Sequence, residues 1–465
     1  MHHGIKRKRP RYRINQVWRT ATSAMVLVCL IGFALVALRW TWMMEEWPGM
    51  GLDVSTGGEL LGEQSPIEHE WTQFVHYGAR YLMRMVRDTE GVRGRFIYNL
   101  YESGTFKKSS YNVLRHAGAV FAMASYIQWV PRHHSTGMVV QLDELTEKTA
   151  QAVDYLKTAF LKPLTNSNTT GVIPLAMWDE PSLITKKTNA RRRCAKLGGA
   201  GLGLVALTSF EAIRPGMTRL NDLALLAEFI KFMQRDDGSF DSKYCDTFGM
   251  DDSVVSLYYP GEASLGMVQL YELTKRREYL RVALRGMMYL ASTRAESTSV
   301  ERDHWALLAT EKLLKHLHVL RVEDEGEVRQ RLLYHGDQIV QSLIQKTEDM
   351  LRKTRRMNAT GNPPMPSDGR TTPTATHLEG LMAAMSFSQK INELEMRENA
   401  YVSARFLVAS QIRHVDESNM RHGGIPAAVG HQDTKSKAIR IDYVQHAICG
   451  VMRAIDAGIP LLETI

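Results

Sequence analysis

Cysteine is scarce in this chain: 4 among 465 residues, too few for a disulfide-stapled scaffold or a cysteine-rich zinc module. Proline and glycine, at 15 and 34, carry no period, which excludes collagen-like and low-complexity architectures. Several motifs are missing. No GxGxxG follows a strand-like run, no GxxxxGK[ST] cradles a phosphate, and neither HExxH nor GxSxG occurs. Nucleotide-binding, zinc-protease and serine-hydrolase signatures are thereby lacking. No cofactor and no metal is expected, and His304, His377 and His446 form the single histidine set from which a metal centre could be built. Strand-like runs are few and short, so a large sheet is excluded. What is present is globular material, 44% hydrophobic and 23% charged, too apolar for a disordered chain.

The net charge of +8 and the pI near 9.2 belong to one end of the molecule. Lys6, Arg7, Lys8, Arg9, Arg11, Arg13 and Arg19 crowd the first twenty residues without an acid, and Arg39 is the only other charge before Glu45. Without them, basic and acidic residues balance, so nucleic acid is not an expected partner. Ala21 to Leu38 then carry no charge, a stretch of about 27 Å as a helix, close to a bilayer's hydrocarbon thickness. Trp18, Trp40 and Trp42 flank it as interfacial anchors. The pattern predicts a basic cytoplasmic tail over 1–20, a transmembrane anchor over 21–43, a Gly- and Ser-containing stalk over 44–65 and a body over 66–465. By the positive-inside rule the body lies outside the cytoplasm, in periplasm, extracellular space or lumen. A cleaved signal peptide is the alternative, but no small-x-small site follows the apolar run. In such a compartment Cys194 and Cys245 are open to pairing, with two free thiols the other reading. Asn168 and Asn358 fit the glycosylation pattern.

Beyond Pro66 the period is helical, and the helices come in two styles. Six are amphipathic, at 68–87, 143–160, 220–234, 277–292, 327–352 and 393–412. Six are small-residue-rich and nearly uncharged, beginning near Tyr111, Lys196, Tyr258, Asp303, Thr376 and Asp442. The styles alternate strictly. A helix apolar all round must be enclosed by protein, whereas one with a charged face sits outside. Six enclosed helices ringed by six outer ones make an all-α (α/α)6 toroid of six helical hairpins, with short β-hairpin inserts. A right-handed solenoid is the competing architecture.

Polar residues in the enclosed helices gather at their N-termini, where unpaired N–H groups and the positive dipole end also lie. The clusters are Asn112, Arg115 and His116; Gly198 and Gly199; Asp251, Asp252, Tyr259 and Glu262; Asp303 and His304; His377 and Glu379; Asp442, Gln445 and His446. Parallel inner helices would bring all six to one mouth. Singly, Asp251, Asp303 and Asp442 read as helix caps, worth about 1 kcal/mol each, and a lone histidine reads as a satisfied structural group. Arg115 has a structural reading as a partner of Glu262 or Asp303. Glu262, in Tyr259-Pro260-Gly261-Glu262, is harder to dismiss, because an acid entering an apolar helix needs a partner or a purpose. Segments from Gly94, Gly171, Asp237 and His422 read as hairpins over the same mouth. In the first three, aromatic residues and acids are mixed as in sites that grip sugar rings.

The alternating pairs, with YYPGEASLGMVQLYELT as the sharpest stretch and GGAGLGLVAL, DHWALLA and IDYVQHA as companions, resemble the six-hairpin glycosidase-like superfamily over roughly 66–460. The resemblance implies a carbohydrate substrate, glycan or polysaccharide, and leaves the reaction open. A membrane-anchored glycoside hydrolase-like enzyme leads, with Glu262 and either Asp252 or Asp303 as its carboxylate pair. Trp305 or Tyr259 would stack on the sugar. An epimerase would use His304 with His377 or His446. A lyase would use Tyr259 or His116 as base, with Asn112 and Arg115 neutralising a uronate. The substrate-binding set is completed by Glu379 and Asp442. A non-catalytic component of envelope polysaccharide machinery is the non-enzyme alternative.

Overall fold

The computed structural model describes residues 65–106, 111–133, 142–164, 171–179, 193–357 (side chains to 353) and 366–460. The basic tail, the anchor over 21–43, the stalk up to residue 64 and both glycosylation sequons lie outside the described residues. Among the described residues no helix is long and apolar enough to cross a membrane.

Among the described residues twelve α-helices alternate as the composition predicts. The outer set is α1 (Pro66–Met85), α3 (Leu142–Phe160), α5 (Leu220–Phe232), α7 (Arg277–Arg294), α9 (Glu325–Met357) and α11 (Glu393–Ser410). The inner set is α2 (Val113–Trp129), α4 (Leu197–Glu211), α6 (Tyr259–Thr274), α8 (His304–Leu320), α10 (Thr371–Ala384) and α12 (Ile441–Asp456). Local chemistry sets many of the boundaries. Ser65 caps α1 by accepting from the Glu68 amide at 3.2 Å, with Pro66 in the first turn, where a missing N–H costs nothing. Asn112 and Asp303 cap α2 and α8 in the same way.

Each inner helix packs against the next, α2 on α4, α4 on α6 and onward to α12, which returns to α2. The ring closes, and closure separates it from a solenoid. In α4 every residue but Ser209 is buried, as a wholly apolar helix requires. Glycine makes the tightest seam possible. A Cβ on Gly201 would lie 2.5 Å from the Glu262 carbonyl carbon, and one on Gly266 would lie 2.6 Å from the Gly201 oxygen. Both obstacles are backbone, so no rotamer change relieves them. Gly201→Ala is expected to cost about 1–3 kcal/mol and to lower the melting temperature by roughly 1–4 °C, measured by circular dichroism.

The strands are very short and sit where inner helices begin. β1 (Asn99–Leu100) pairs antiparallel with β7 (Ile439–Arg440), joining the approach to α2 to the approach to α12. β2 (Leu161–Pro163) pairs with β3 (Leu175–Met177). β4 (Cys194–Lys196), β5 (Lys243–Cys245) and β6 (Gly249–Met250) form a sheet in which Cys194 stands opposite Cys245, and the two are joined by a disulfide. Among the described residues none of the four expected hairpins pairs within its own bounds, and all four are corrected: β1 of the Gly94 segment pairs with β7 across the closure of the ring, β3 of the Gly171 segment with β2, β5 of the Asp237 segment with β4 and β6, and Pro426 and Ala428 of the His422 segment with Ile439 and Arg370. Loops that precede neighbouring inner helices meet at one rim, and short strands there pair with whichever edge is adjacent.

Candidate active site

A cavity of about 500 Å³ opens at the rim where the inner helices start, and all six contribute to its wall. Asn112 and Arg115 come from α2, Leu202 from α4, and Tyr259 and Glu262 from α6. His304 and Trp305 belong to α8, Thr372, Thr376 and His377 to α10, and Asp442, Gln445 and His446 to α12. The expected convergence of inner-helix N-termini is therefore present.

The floor is a histidine pair. His304 and His446 stand with ring centroids 5.3 Å apart and planes near perpendicular, both beside Trp305. His446 Nδ1 lies 2.6 Å from Glu379 Oε2, and Glu379 is buried beneath it. Burial works against the imidazolium, but the charge and hydrogen bond of Glu379 outweigh it and raise the pKa of His446. His304 is the opposite case. Burial, followed by the neighbouring His446 and His377, pushes its pKa well below the usual value, and neither ring nitrogen has a hydrogen-bond partner. Glu379 thus favours the cation of one imidazole, and burial favours the neutral form of its neighbour.

Glu262 lines the cavity at 4% exposure with Oε2 unpartnered. Burial, then the charge of Asp303, pushes its pKa up to about 8, so at neutral pH it keeps its proton. Room for this side chain comes from Gly198, where a Cβ would lie 2.1 Å from Glu262 Oε2 and 2.3 Å from the Tyr259 ring. Asp442 is neutralised from two sides, by Arg440 at 2.5 and 2.9 Å and by Arg115 at 3.0 Å. Asn112 caps α2 and faces the cavity as well.

Four expected residues stand elsewhere. Asp252 is exposed and pairs with Arg235 at 2.8 Å, outside the cavity wall, because the turn that follows β6 carries it outward. His116 is wholly buried, bound to the Tyr111 hydroxyl at 2.6 Å and the Ala152 carbonyl at 2.8 Å. Its position one residue after Arg115 turns it about 100° round the helix into the core. Asp303 caps the Ala306 amide at 3.1 Å, fully buried with Arg294 at 3.6 Å; burial leads in raising its pKa to about 6. It reaches Glu262 through its field alone. Glu379 acts beneath His446 rather than on the cavity wall. Arg115 pairs with Asp442, not with Glu262 or Asp303.

The histidine metal set is also rearranged. His304, Glu379 and His446 bring one ligand atom each within 4.8 Å of the others, and His377 is not among them. The 2.6 Å contact of His446 with Glu379 is a hydrogen-bond separation, shorter than the roughly 3.3 Å between ligands bound at about 2.0 Å in a tetrahedral site. Residues missed in the sequence are Tyr258, Glu301, Arg302, Arg370 and Thr372. Arg302 and Arg370 directly precede inner helices, a position that is a usable signal once the rim is known.

Neither a protein-family model nor a curated protein matches the chain. Solved structures do. A D-mannose isomerase superposes with a TM-score of 0.56 at 11% identity, over 85% of this chain and 100% of the other. The cellobiose 2-epimerase of Bacillus thermoamylovorans B4167 gives 0.57 at 9%, over 84% and 99%. The shared fold is an (α/α)6 toroid of six helical hairpins. An unsaturated glucuronyl hydrolase specific for heparin shares it at a TM-score of 0.53 and 10% identity, over 84% and 98%. At such identities the likeness is one of architecture. The toroid hosts several chemistries, and the reaction of this chain must be read from its own rim.

Proposed function

We propose that this toroid is a carbohydrate-active enzyme that moves a proton between adjacent carbons of a reducing sugar, with His304 as base and His446 as acid. The observation that carries this reading is the pair itself: two imidazoles in edge-to-face contact, one without a hydrogen-bond partner, the other in contact with Glu379, which favours its cation. His304 takes the proton from C2 of the open-chain aldose, and its electron pair moves into the C1–C2 bond. His446 donates to the carbonyl oxygen, leaving a neutral enediol. Return of the proton from His304 to C1, with O2 giving its proton back to His446, yields the ketose. Centroids 5.3 Å apart leave no space for a sugar between the rings, so both meet it from one wall. Same-face transfer therefore fits better than the opposite-face exchange of the epimerase expectation. Protonated Glu262 supplies a further donor to a sugar oxygen. A cavity of about 500 Å³ accepts one or two sugar units. The D-mannose isomerase and cellobiose 2-epimerase that share the fold lend support by the reactions they are named for.

Glycoside hydrolysis is the second reading, favoured by a Glu262 that stays protonated at neutral pH. It lacks an unencumbered second carboxylate at the floor, since Asp252 is outside, Asp303 is behind and Asp442 is paired. Incubating the protein with a panel of aldoses in D2O separates the two. Deuterium entering C1 or C2 with ketose formation is the expected result. Release of reducing ends from oligosaccharides without exchange would replace the proton-transfer reading by the hydrolytic one.

The body is proposed to work outside the cytoplasm, tethered by residues 21–43 and acting on envelope or lumenal glycan material. The Cys194–Cys245 disulfide supports an oxidising compartment.

A further inference from the structure

Two arginines on the cavity wall have no acidic partner. Arg302 precedes α8 and Arg370 precedes α10, and both line the cavity. Neither makes an ion pair with a described residue, in contrast to Arg115 and Arg440, which share Asp442. Of the carboxylates on the wall, Glu262 is neutral at pH 7, Asp442 is doubly paired, and Glu301 is exposed and bound to neither arginine. Between the two arginines in the chain of the wall stand uncommitted donors. Thr372 Oγ1 is buried without a hydrogen-bond partner, and no side chain caps the start of α10. His377 registers the resulting field. Burial first, then the charges of Arg302, Lys346 and Arg370, push its pKa down to about 3. Guanidinium groups that no described acid pairs, beside an unpartnered hydroxyl, form a receptor for a charged oxygen group.

We infer that the α8–α10 side of the cavity is an anion subsite, and that the substrate is an acidic sugar whose carboxylate, sulfate or phosphate is taken by Arg302 and Arg370. The inference rests on the sugar-binding reading of the cavity and narrows it to a substrate class. It also separates the roles of two walls. The floor, with His304 and His446, performs the chemistry, while the α8–α10 wall selects and orients.

The test measures binding by calorimetry and turnover by the deuterium assay, using matched neutral and acidic sugars on the intact protein. Glucose is paired with glucuronate, glucose 6-phosphate and glucose 6-sulfate, which distinguishes the three sources of charge. The wild type is expected to bind one acidic member roughly 10- to 100-fold more tightly than glucose, with affinity falling as salt is raised. Arg302→Met and Arg370→Met each remove most of that preference and leave neutral-sugar affinity within about threefold; Arg→Lys at either position restores part of it. Unchanged melting temperatures are expected, because no partner is lost. Equal affinity for neutral and acidic sugars in the wild type overturns the anion subsite and leaves the sugar-binding reading standing. A preference that survives both Met variants also overturns it. No binding of any of the four sugars overturns both.

Discussion

His304→Ala is expected to lower turnover by roughly 10²- to 10⁴-fold while leaving the Michaelis constant little changed. The side chain is 2% exposed, its ring nitrogens are unpartnered, and burial keeps it neutral, so its lone pair is available to a substrate proton at physiological pH. His446→Ala should cost a comparable factor. The double variant should be little worse than either single one, because a base and an acid that act in the same step form one unit. Glu379→Gln tests the positioning role. His446 owes its raised pKa to the Glu379 charge and hydrogen bond, which overcome burial. Its acid form is therefore complete below the ordinary histidine value and is lost only as pH rises through a higher one. Without the Glu379 charge that loss moves to lower pH, and the alkaline limb of the rate profile shifts toward acid. A purely structural role for Glu379 would lower the rate at every pH and leave the limb in place. Full turnover in either histidine variant, with intact folding, removes the pair from the mechanism.

Glu262→Gln is expected to make the protein more stable and less active at once. Burial, then the Asp303 charge, raises the folded pKa of Glu262 from 4.5 to about 8. Between those values the folded protein holds a proton that the unfolded chain has released. The stabilising contribution is thus fully present below about pH 4.5 and is lost as pH rises through about 8. The penalty above pH 8 is of the order of 3–5 kcal/mol, large beside ordinary domain stabilities. Glutamine keeps the shape and has no charge to bury. Melting temperatures of parent and variant should coincide near pH 4 and separate progressively toward pH 9, with the variant higher. Turnover of the parent should lose the Glu262 contribution above pH 8, and the variant, roughly 10²-fold slower, should keep only the alkaline limb set by His446. Melting curves that run parallel from pH 4 to 9 would mean that Glu262 titrates alike in the folded and unfolded chain, is ionised at neutral pH, and fails as an acid.

Stability given up at a pocket of this kind has a recognisable arrangement. Gly198 is shaped to admit the Glu262 carboxyl and the Tyr259 ring. Asp303, whose buried charge helps keep Glu262 protonated, is fixed by its cap to Ala306 and its contact with Arg294. The groups that tune the cavity are therefore held by the same helix starts that form it, and a substitution in either layer should move the pH profile as well as the rate.

Much of this molecule was legible from residue order. The alternation of enclosed and amphipathic helices predicts twelve helices in the right sequence, and the observed boundaries follow within a few residues, save α9, which runs five residues past the expected 352, and α10, which begins five residues before the expected Thr376. The α10 difference arises because Thr371, Pro373 and Thr374 look like loop chemistry, although a proline and hydroxyl groups are at home in a first helical turn. The polar character of the inner N-termini likewise pointed to one mouth, and residues of all six line it.

Linear order alone determined the helix pairs, their inner or outer rank and the end of the ring where chemistry gathers, because each follows from apolar periodicity and from where polar groups interrupt it. Only the tertiary structure decided which of those groups face the cavity. Arg115 and His116 are neighbours in the chain, yet a turn of about 100° sends one to the rim and the other into the core. Asp252 and Asp303 looked equivalent as partners for Glu262 until packing placed one in solvent and the other behind the wall. The contact of His446 with Glu379, 67 positions apart, exists because the ring closes and brings α10 beside α12, a relation that no local pattern encodes.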